Sequence, residues 1–149
     1  MSITFKIRTV NKNDLPALQE LYLNLHEEQV TPLTGEVMQV WADILADPNY
    51  HIFVGEDKGE ILSSVTLIII PNLTRGFRPY AVIENVVTAE SHRNHGYASL
   101  LLAHAVGVAK ERGCYKVMLM TGSKSESTLR LYRRAGFSDT EKTAFVMRM

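Results

Sequence analysis

Two short stretches of this chain hold residue types whose spacing can do chemistry. The first is Arg93-Asn94-His95-Gly96-Tyr97-Ala98, set between an apolar run at residues 81–88 and an amphipathic run that reaches Arg112. A strand, a basic glycine turn and a helix can make a phosphate cradle. The first turn of a helix leaves backbone N–H groups without partners, and its dipole favours an anion there. Gly96 removes a side chain where a phosphate has to come close, and Ala98 keeps the first helical turn narrow. The same spacing also suits a plain strand-to-helix turn. It is not a Walker loop, because the Gly-Lys-Ser/Thr ending is missing. Nor is it a dinucleotide fingerprint, because the first glycine is missing. The second stretch is SESTLRLYRRAGF, residues 125–137. Leu129, Tyr132 and Ala135 repeat at helical spacing, so Tyr132 is either the edge of a core or a phenol that donates a proton into a cleft. Gly136-Phe137 reads as a helix stop with an apolar anchor.

The elements that must position these stretches are legible from periodicity. Ile3, Phe5 and Ile7 alternate with polar residues, which predicts a first strand. Asn13 or Asp14 can cap a helix with Pro16 in its first turn, and Leu15, Leu18, Leu21, Tyr22 and Leu25 form its apolar face. A second helix is predicted over residues 35–45, with Val37, Val40, Trp41, Ile44 and Leu45 inward and Pro48 beyond its end. Residues 50–56 and 60–70 read as a hairpin around Asp57-Lys58-Gly59. Residues 72–79 read as an exposed loop carrying Arg75 and Arg78. A strand over residues 80–88 leads into the glycine turn. The long helix after it presents Leu101, Leu102, Ala105, Val108 and Ala109, and Gly113 ends it. A strand over residues 115–120, a helix over residues 126–135 and a last strand over residues 143–149 complete the chain. This order predicts one α/β (α+β) domain over residues 1–149, with three layers around one sheet.

Composition narrows the function classes. The chain has 149 residues, enough for one real core, with 46% apolar and 21% charged residues. Sixteen basic and 16 acidic residues balance to a formal charge of +0, which gives no support for general nucleic-acid or membrane-surface binding. Cys114 is the one cysteine, so no intrachain disulfide and no cysteine-rich metal cluster can form, and a reducing cytoplasm is expected. No targeting segment is expected at the start of the chain, and the longest apolar run, residues 65–70, is too short to span a bilayer. The histidines His26, His51, His92, His95 and His104 include no pair at helical spacing beside a carboxylate, so no metal site is expected. Cys114 opens an apolar strand and reads as a buried thiol.

The two chemical stretches together resemble the GCN5-related N-acetyltransferases, which move an acyl group from acyl-CoA to an amine. VVTAESHRNHGYASLLL is similar to that family's strand-loop-helix signature, with Arg93, Gly96 and Ala98 filling Arg/Gln-x-x-Gly-x-Gly/Ala. RLYRRAGF is similar to its second signature, a tyrosine followed four and five residues later by Gly-Phe. The order and separation agree, and the match covers residues 80–149. The resemblance implies a central mixed, mostly antiparallel sheet flanked by helices. It implies that the backbone of Val86, Val87 and Thr88 faces the pantetheine arm, with the Val86 N–H on the thioester carbonyl. It also implies that Arg93, Asn94, His95, Gly96, Tyr97 and Ala98 take the pyrophosphate, chiefly through backbone N–H groups. Tyr132 becomes the general acid for the leaving thiolate. Glu84 becomes either a base acting through water or a solvated strand residue. Ser125 stands where many members carry an asparagine that bonds the pantetheine.

Within the family, VIENVVTAE and GCYKVML are most similar to glucosamine-phosphate N-acetyltransferases. Met120 and Thr121 stand where those enzymes carry an acid, and Asn85 stands beside Glu84 where they carry another. The implied activity is direct acetyl transfer from acetyl-CoA to a primary amine of a small molecule, with no metal. A non-catalytic acyl-CoA-binding module and a peptide N-acetyltransferase are the alternatives. A homodimer is expected from the same resemblance, through the last strand or the exposed helices.

Overall fold

A computed structural model describes residues 4–149, so Ile3 of the expected first strand lies outside the described residues. The elements run β1 (Lys6–Thr9), α1 (Leu15–Tyr22), α2 (Gly35–Ala46), β2 (Tyr50–Asp57), β3 (Glu60–Ile70), α3 (Thr74–Phe77), β4 (Tyr80–Thr88), a 3-10 turn (Glu90–His92), α4 (Tyr97–Glu111), β5 (Val117–Leu119) and α5 (Glu126–Arg134). The sheet order is β1-β2-β3-β4-β5. Every neighbouring pair is antiparallel except β4 and β5, which run parallel. This is the mixed, mostly antiparallel sheet flanked by helices that the family resemblance implies.

Alternation along the strands builds two cores, one on each face of the sheet. On one face Val10, Ile52 and Val54 meet Leu18 of α1 and Trp41 of α2. On the other, Phe53, Val65, Leu67, Ile69 and Ile83 pack under Leu101, Leu102, Ala105 and Ala109 of α4. Burying a leucine fully contributes about 2–3 kcal/mol, so α4 is held far more firmly than α2, whose one buried residue is Trp41. Just before β1, the Phe5 ring covers Gly55 so closely that a Cβ there would collide with it. Phe5 then stacks on Tyr97 with ring centroids 4.0 Å apart, which ties the first strand to the start of α4.

Several expectations are corrected. α1 ends at Tyr22, so Leu25 falls beyond it. Asp14 stands at the N-cap of α1 without capping it through its side chain. Its carboxylate instead accepts from Arg8 at 2.7 and 3.0 Å and from the Asn11 N–H at 2.7 Å. On α2, Val40 is 58% and Leu45 38% exposed, not inward. The short turn α3 replaces part of the expected loop, with Arg75, Gly76 and Phe77 all at positive φ. β5 is confined to Val117–Leu119. The expected strand over residues 143–149 does not form. An alternating pattern specifies a strand only where a sheet edge receives its hydrogen bonds, and among the described residues no edge does.

Candidate active site

The site begins where β4 outruns its neighbour. β4 and β5 are paired only from Ala81–Val117 to Ile83–Leu119, while β4 continues to Thr88. On the other side, β3 and β4 lose register between Ser64 and Thr66, because Asn85 adopts φ 51 and bulges out. A bulge bends its strand and raises the local twist. Beyond Ile83 and Leu119 no pairing joins β4 to β5 among the described residues, and residues of both segments line one cleft. The edge of β4 beyond Ile83 faces a cleft of about 1230 Å³, room enough for an extended ligand beside a small one.

The glycine turn closes one end of this cleft. Gly96 caps α4 with φ 80, a left-handed conformation that only glycine adopts without strain. A Cβ built there meets nothing within 4 Å, so the glycine serves the backbone turn rather than relieving a contact within the chain. The first α4 bond runs from the Leu100 N–H to the Gly96 carbonyl, and no side chain caps the helix. The N–H groups of Tyr97, Ala98 and Ser99 thus reach the cleft wall with no partner among the described residues.

The loop side chains are turned to structural use. Arg93 Nε donates to the Thr88 carbonyl at 3.4 Å and ties the loop to β4. His95 Nδ1 lies 3.0 Å from the His92 carbonyl and 2.8 Å from the Arg93 carbonyl, so that nitrogen bears the proton. With its ring folded under the loop, His95 does not line the cleft, whereas Val86, Val87, Thr88, Arg93, Asn94, Gly96, Tyr97 and Ala98 do.

α5 supplies the opposite wall. Ser125 is its N-cap: its Oγ accepts the Thr128 N–H at 3.4 Å and donates to Thr128 Oγ1 at 2.9 Å. The residue lines the cleft while its hydroxyl is engaged locally. The spacing of Tyr132, Gly136 and Phe137 has a local cause. The Phe137 N–H bonds the Tyr132 carbonyl at 3.1 Å and the Gly136 N–H bonds the Arg133 carbonyl at 3.0 Å. That pair of bonds, with glycine left-handed at φ 101, is a Schellman closure. Phe137, Leu131 and Tyr132 then pack against the α4 core, which fixes the direction of the phenol.

Tyr132 and Glu84 meet electrostatically across the cleft. Burial pushes the Tyr132 phenol above the ordinary tyrosine range, and the negative charge of Glu84 pushes it further. Tyr50 is raised in the same order by the same two causes. Both phenols are therefore protonated at neutral pH, the form that can donate. Glu84 is exposed and sits opposite Thr66 in the β3–β4 register. Thr66 is buried with no hydrogen-bond partner for its Oγ1 among the described residues.

Periodicity missed much of the polar lining. Arg130, Arg134 and Arg148 line the cleft with Arg93, and among the described lining residues Glu84 is the one acid. The signal was the arginine-rich face of SESTLRLYRRAGF, which by itself reads as a solvated surface. Arg75 and Arg78 lie elsewhere. Arg78 donates to the carbonyls of Gly113 and Cys114 at 3.2 and 3.3 Å, and Arg75 sits over the Tyr115 ring. Met120, Thr121 and Asn85 all reach the cleft. His51 lies outside it, stacked on Phe53 and near Arg112. Cys114 is half-buried, and burial pushes its thiol up. Among the described residues no cluster of three or more potential metal ligands occurs.

Comparison with known proteins bears on this geometry. Residues 15–137 match the acetyltransferase (GNAT) family model. A solved structure of a putative acetyltransferase from Agrobacterium tumefaciens str. C58 is 42% identical and superposes with a TM-score of 0.90, covering 97% of this chain and 99% of that one. Glucosamine 6-phosphate N-acetyltransferase from Trypanosoma brucei brucei is 31% identical over 94% of this chain and 93% of its own length. Aminoglycoside N(6')-acetyltransferase type 1 from Serratia marcescens is 28% identical over 69% of this chain and 73% of its own.

Proposed function

This chain belongs to the GNAT acetyltransferase family, and from that premise we propose that it carries acetyl from acetyl-CoA to a primary amine of a small molecule by direct attack. The observation that carries the reading is the meeting of three groups in one cleft: an unpaired strand edge, an uncapped helix N-terminus and a protonated phenol. Acetyl-CoA lies along β4, its pantetheine amides bonding the backbone of Val86, Val87 and Thr88 as an added strand would. The Val86 N–H polarises the thioester carbonyl and holds the oxyanion. The turn from Arg93 to Ala98 takes the pyrophosphate on backbone N–H groups.

Glu84, through water, removes a proton from the ammonium form of the acceptor. The neutral amine attacks the carbonyl carbon, the C–S bond breaks, Tyr132 gives its proton to the leaving thiolate, and the proton shed by the new amide nitrogen returns to the Tyr132 oxygen. The positive lining favours an acceptor that carries an anionic group over a polycation, which agrees in kind with the sugar-phosphate relative. We also read the chain as one domain working in the cytoplasm, where its single cysteine stays a thiol. Among the described residues no helix is long and apolar enough to cross a membrane.

The test is free-thiol release from acetyl-CoA against amino sugars, amino-sugar phosphates, aminoglycosides, polyamines and short peptides. Turnover is expected with a small amine and highest with an anionic one. Binding of acetyl-CoA with no thiol release across the whole panel would mark a non-catalytic acyl-CoA module instead. Turnover with peptides alone would mark a peptide N-acetyltransferase.

A further inference from the structure

The middle of β3 carries hydroxyls where the sheet leaves them no water. Ser63, Ser64 and Thr66 are all buried, among the apolar side chains of Leu62, Val65 and Leu67. A buried hydroxyl is unfavourable unless it makes a hydrogen bond. These three flank the place where β3 and β4 lose register, between Ser64 and Thr66. The ladder is irregular there, and side chains add bonds of their own. Ser64 Oγ turns back to β2 and donates to the Phe53 carbonyl at 3.0 Å. Ser63 Oγ reaches forward to β4 and donates to the Val87 carbonyl at 2.8 Å. It also lies 2.9 Å from Thr88 Oγ1.

The directions of these bonds follow from the protons available. A serine hydroxyl has one proton and two lone pairs, and a carbonyl can only accept. The Ser63 proton goes to Val87, so the Thr88 hydroxyl donates to Ser63. That fixes the other side of Thr88. With its proton turned back into the sheet, Thr88 Oγ1 has only lone pairs to offer a ligand. Thr88 is half-buried and lines the cleft beside Val86 and Val87, at the end of the open strand edge. Its carbonyl is held as well, by Arg93 Nε at 3.4 Å. Ser63 is fully buried and does not line the cleft, yet it sets what a cleft residue can bind.

We propose that Ser63 is a positioning residue for the acyl donor: it holds the Thr88 hydroxyl as an acceptor for an amide N–H of the pantetheine arm. The proposal rests on the reading that acetyl-CoA lies along β4. It adds one oriented side-chain contact to an edge otherwise made of backbone. A donor that presented an oxygen at this point would meet lone pairs with lone pairs.

Calorimetric titration with coenzyme A tests the proposal. Thr88→Val keeps the shape of the side chain and removes the acceptor, so binding is expected to weaken by about 3–10-fold. Thr88→Ser keeps the hydroxyl and is expected to bind as the parent does. Ser63→Ala releases the Thr88 proton and is expected to weaken binding in the parent but not in the Thr88→Val background, because its effect passes through Thr88. The phosphorylated ADP half of coenzyme A lacks the arm and is expected to bind the parent and every variant alike. Parent-like binding of coenzyme A by Thr88→Val would overturn the proposal and leave the acetyl-CoA reading standing. So would additive losses in the double variant, or an equal loss with the nucleotide half, which would reduce the pair to a brace for the loop. A parent that binds neither ligand would overturn both.

Discussion

The two halves of the molecule hold their shape by different means. From β4 to Phe137 the site is made of backbone: an unpaired edge, an uncapped helix and a Schellman closure, all pinned by α4. From β1 to α2 the chain lies on the sheet through few buried side chains, Leu18 and Trp41 chief among them. Backbone groups are the same whatever the side chain, so on the proposed reading the C-terminal half suits a constant partner, the acyl donor. The N-terminal half leaves its side chains free to vary, which on the same reading suits the wall of a variable acceptor pocket.

The largest test of this contrast is chemical. Tyr132→Phe keeps the ring and its packing but loses the proton donor, so turnover is expected to fall by about 10²–10⁴-fold while the acetyl-CoA dissociation constant stays within a few-fold. Steady-state rates beside direct binding check it. If the rate held across the whole amine panel, the phenol would belong to the core and not to the chemistry.

Packing comes next. Leu102→Ala removes a fully buried side chain and is expected to lower stability by about 3 kcal/mol. Val40→Ala, on the exposed face of α2, is expected to change it by less than about 0.5 kcal/mol. Urea unfolding of the two variants measures the ratio, and equal losses would erase the contrast between the halves.

A third test probes the ion pair that closes the N-terminal half. The hydrogen bonds from Arg8 hold the Asp14 carboxyl below the usual carboxylate range, opposed in part by burial. A depressed folded-state pKa stabilises the fold above the ordinary carboxylate value and loses that contribution as pH falls through the folded-state value. Unfolding midpoints should therefore drop on acidification in the parent. Asp14→Asn should be less stable by about 2 kcal/mol at neutral pH and show a flatter acid slope.

The smallest pair addresses the turn. Gly96→Val forces a β-branched residue to φ 80, at a cost of about 1–3 kcal/mol, and should weaken acetyl-CoA binding by tens-fold. Arg93→Ala leaves the backbone N–H groups in place and should weaken it only a few-fold. Calorimetric titration of both with coenzyme A compares them. A larger loss for Arg93→Ala would mean that charge, not backbone, holds the anion.

What the sequence determined by itself is local. Gly96 before an amphipathic helix, Lys58-Gly59 between two alternating runs and Tyr132 five residues before Phe137 each fix a turn through bonds that span a few residues. Such bonds need nothing beyond their own segment, so spacing reveals them. Tertiary structure decided the rest. It sent Arg78 to the end of α4 and Arg134 to the cleft, although both read as surface arginines. It cut β5 to three residues and left residues 143–149 unpaired, although their alternation is as clear as that of β1. It raised the Tyr132 phenol through burial and through Glu84, 48 positions earlier in the chain. Each of these outcomes depends on which distant surfaces meet, and periodicity along a chain carries no record of that.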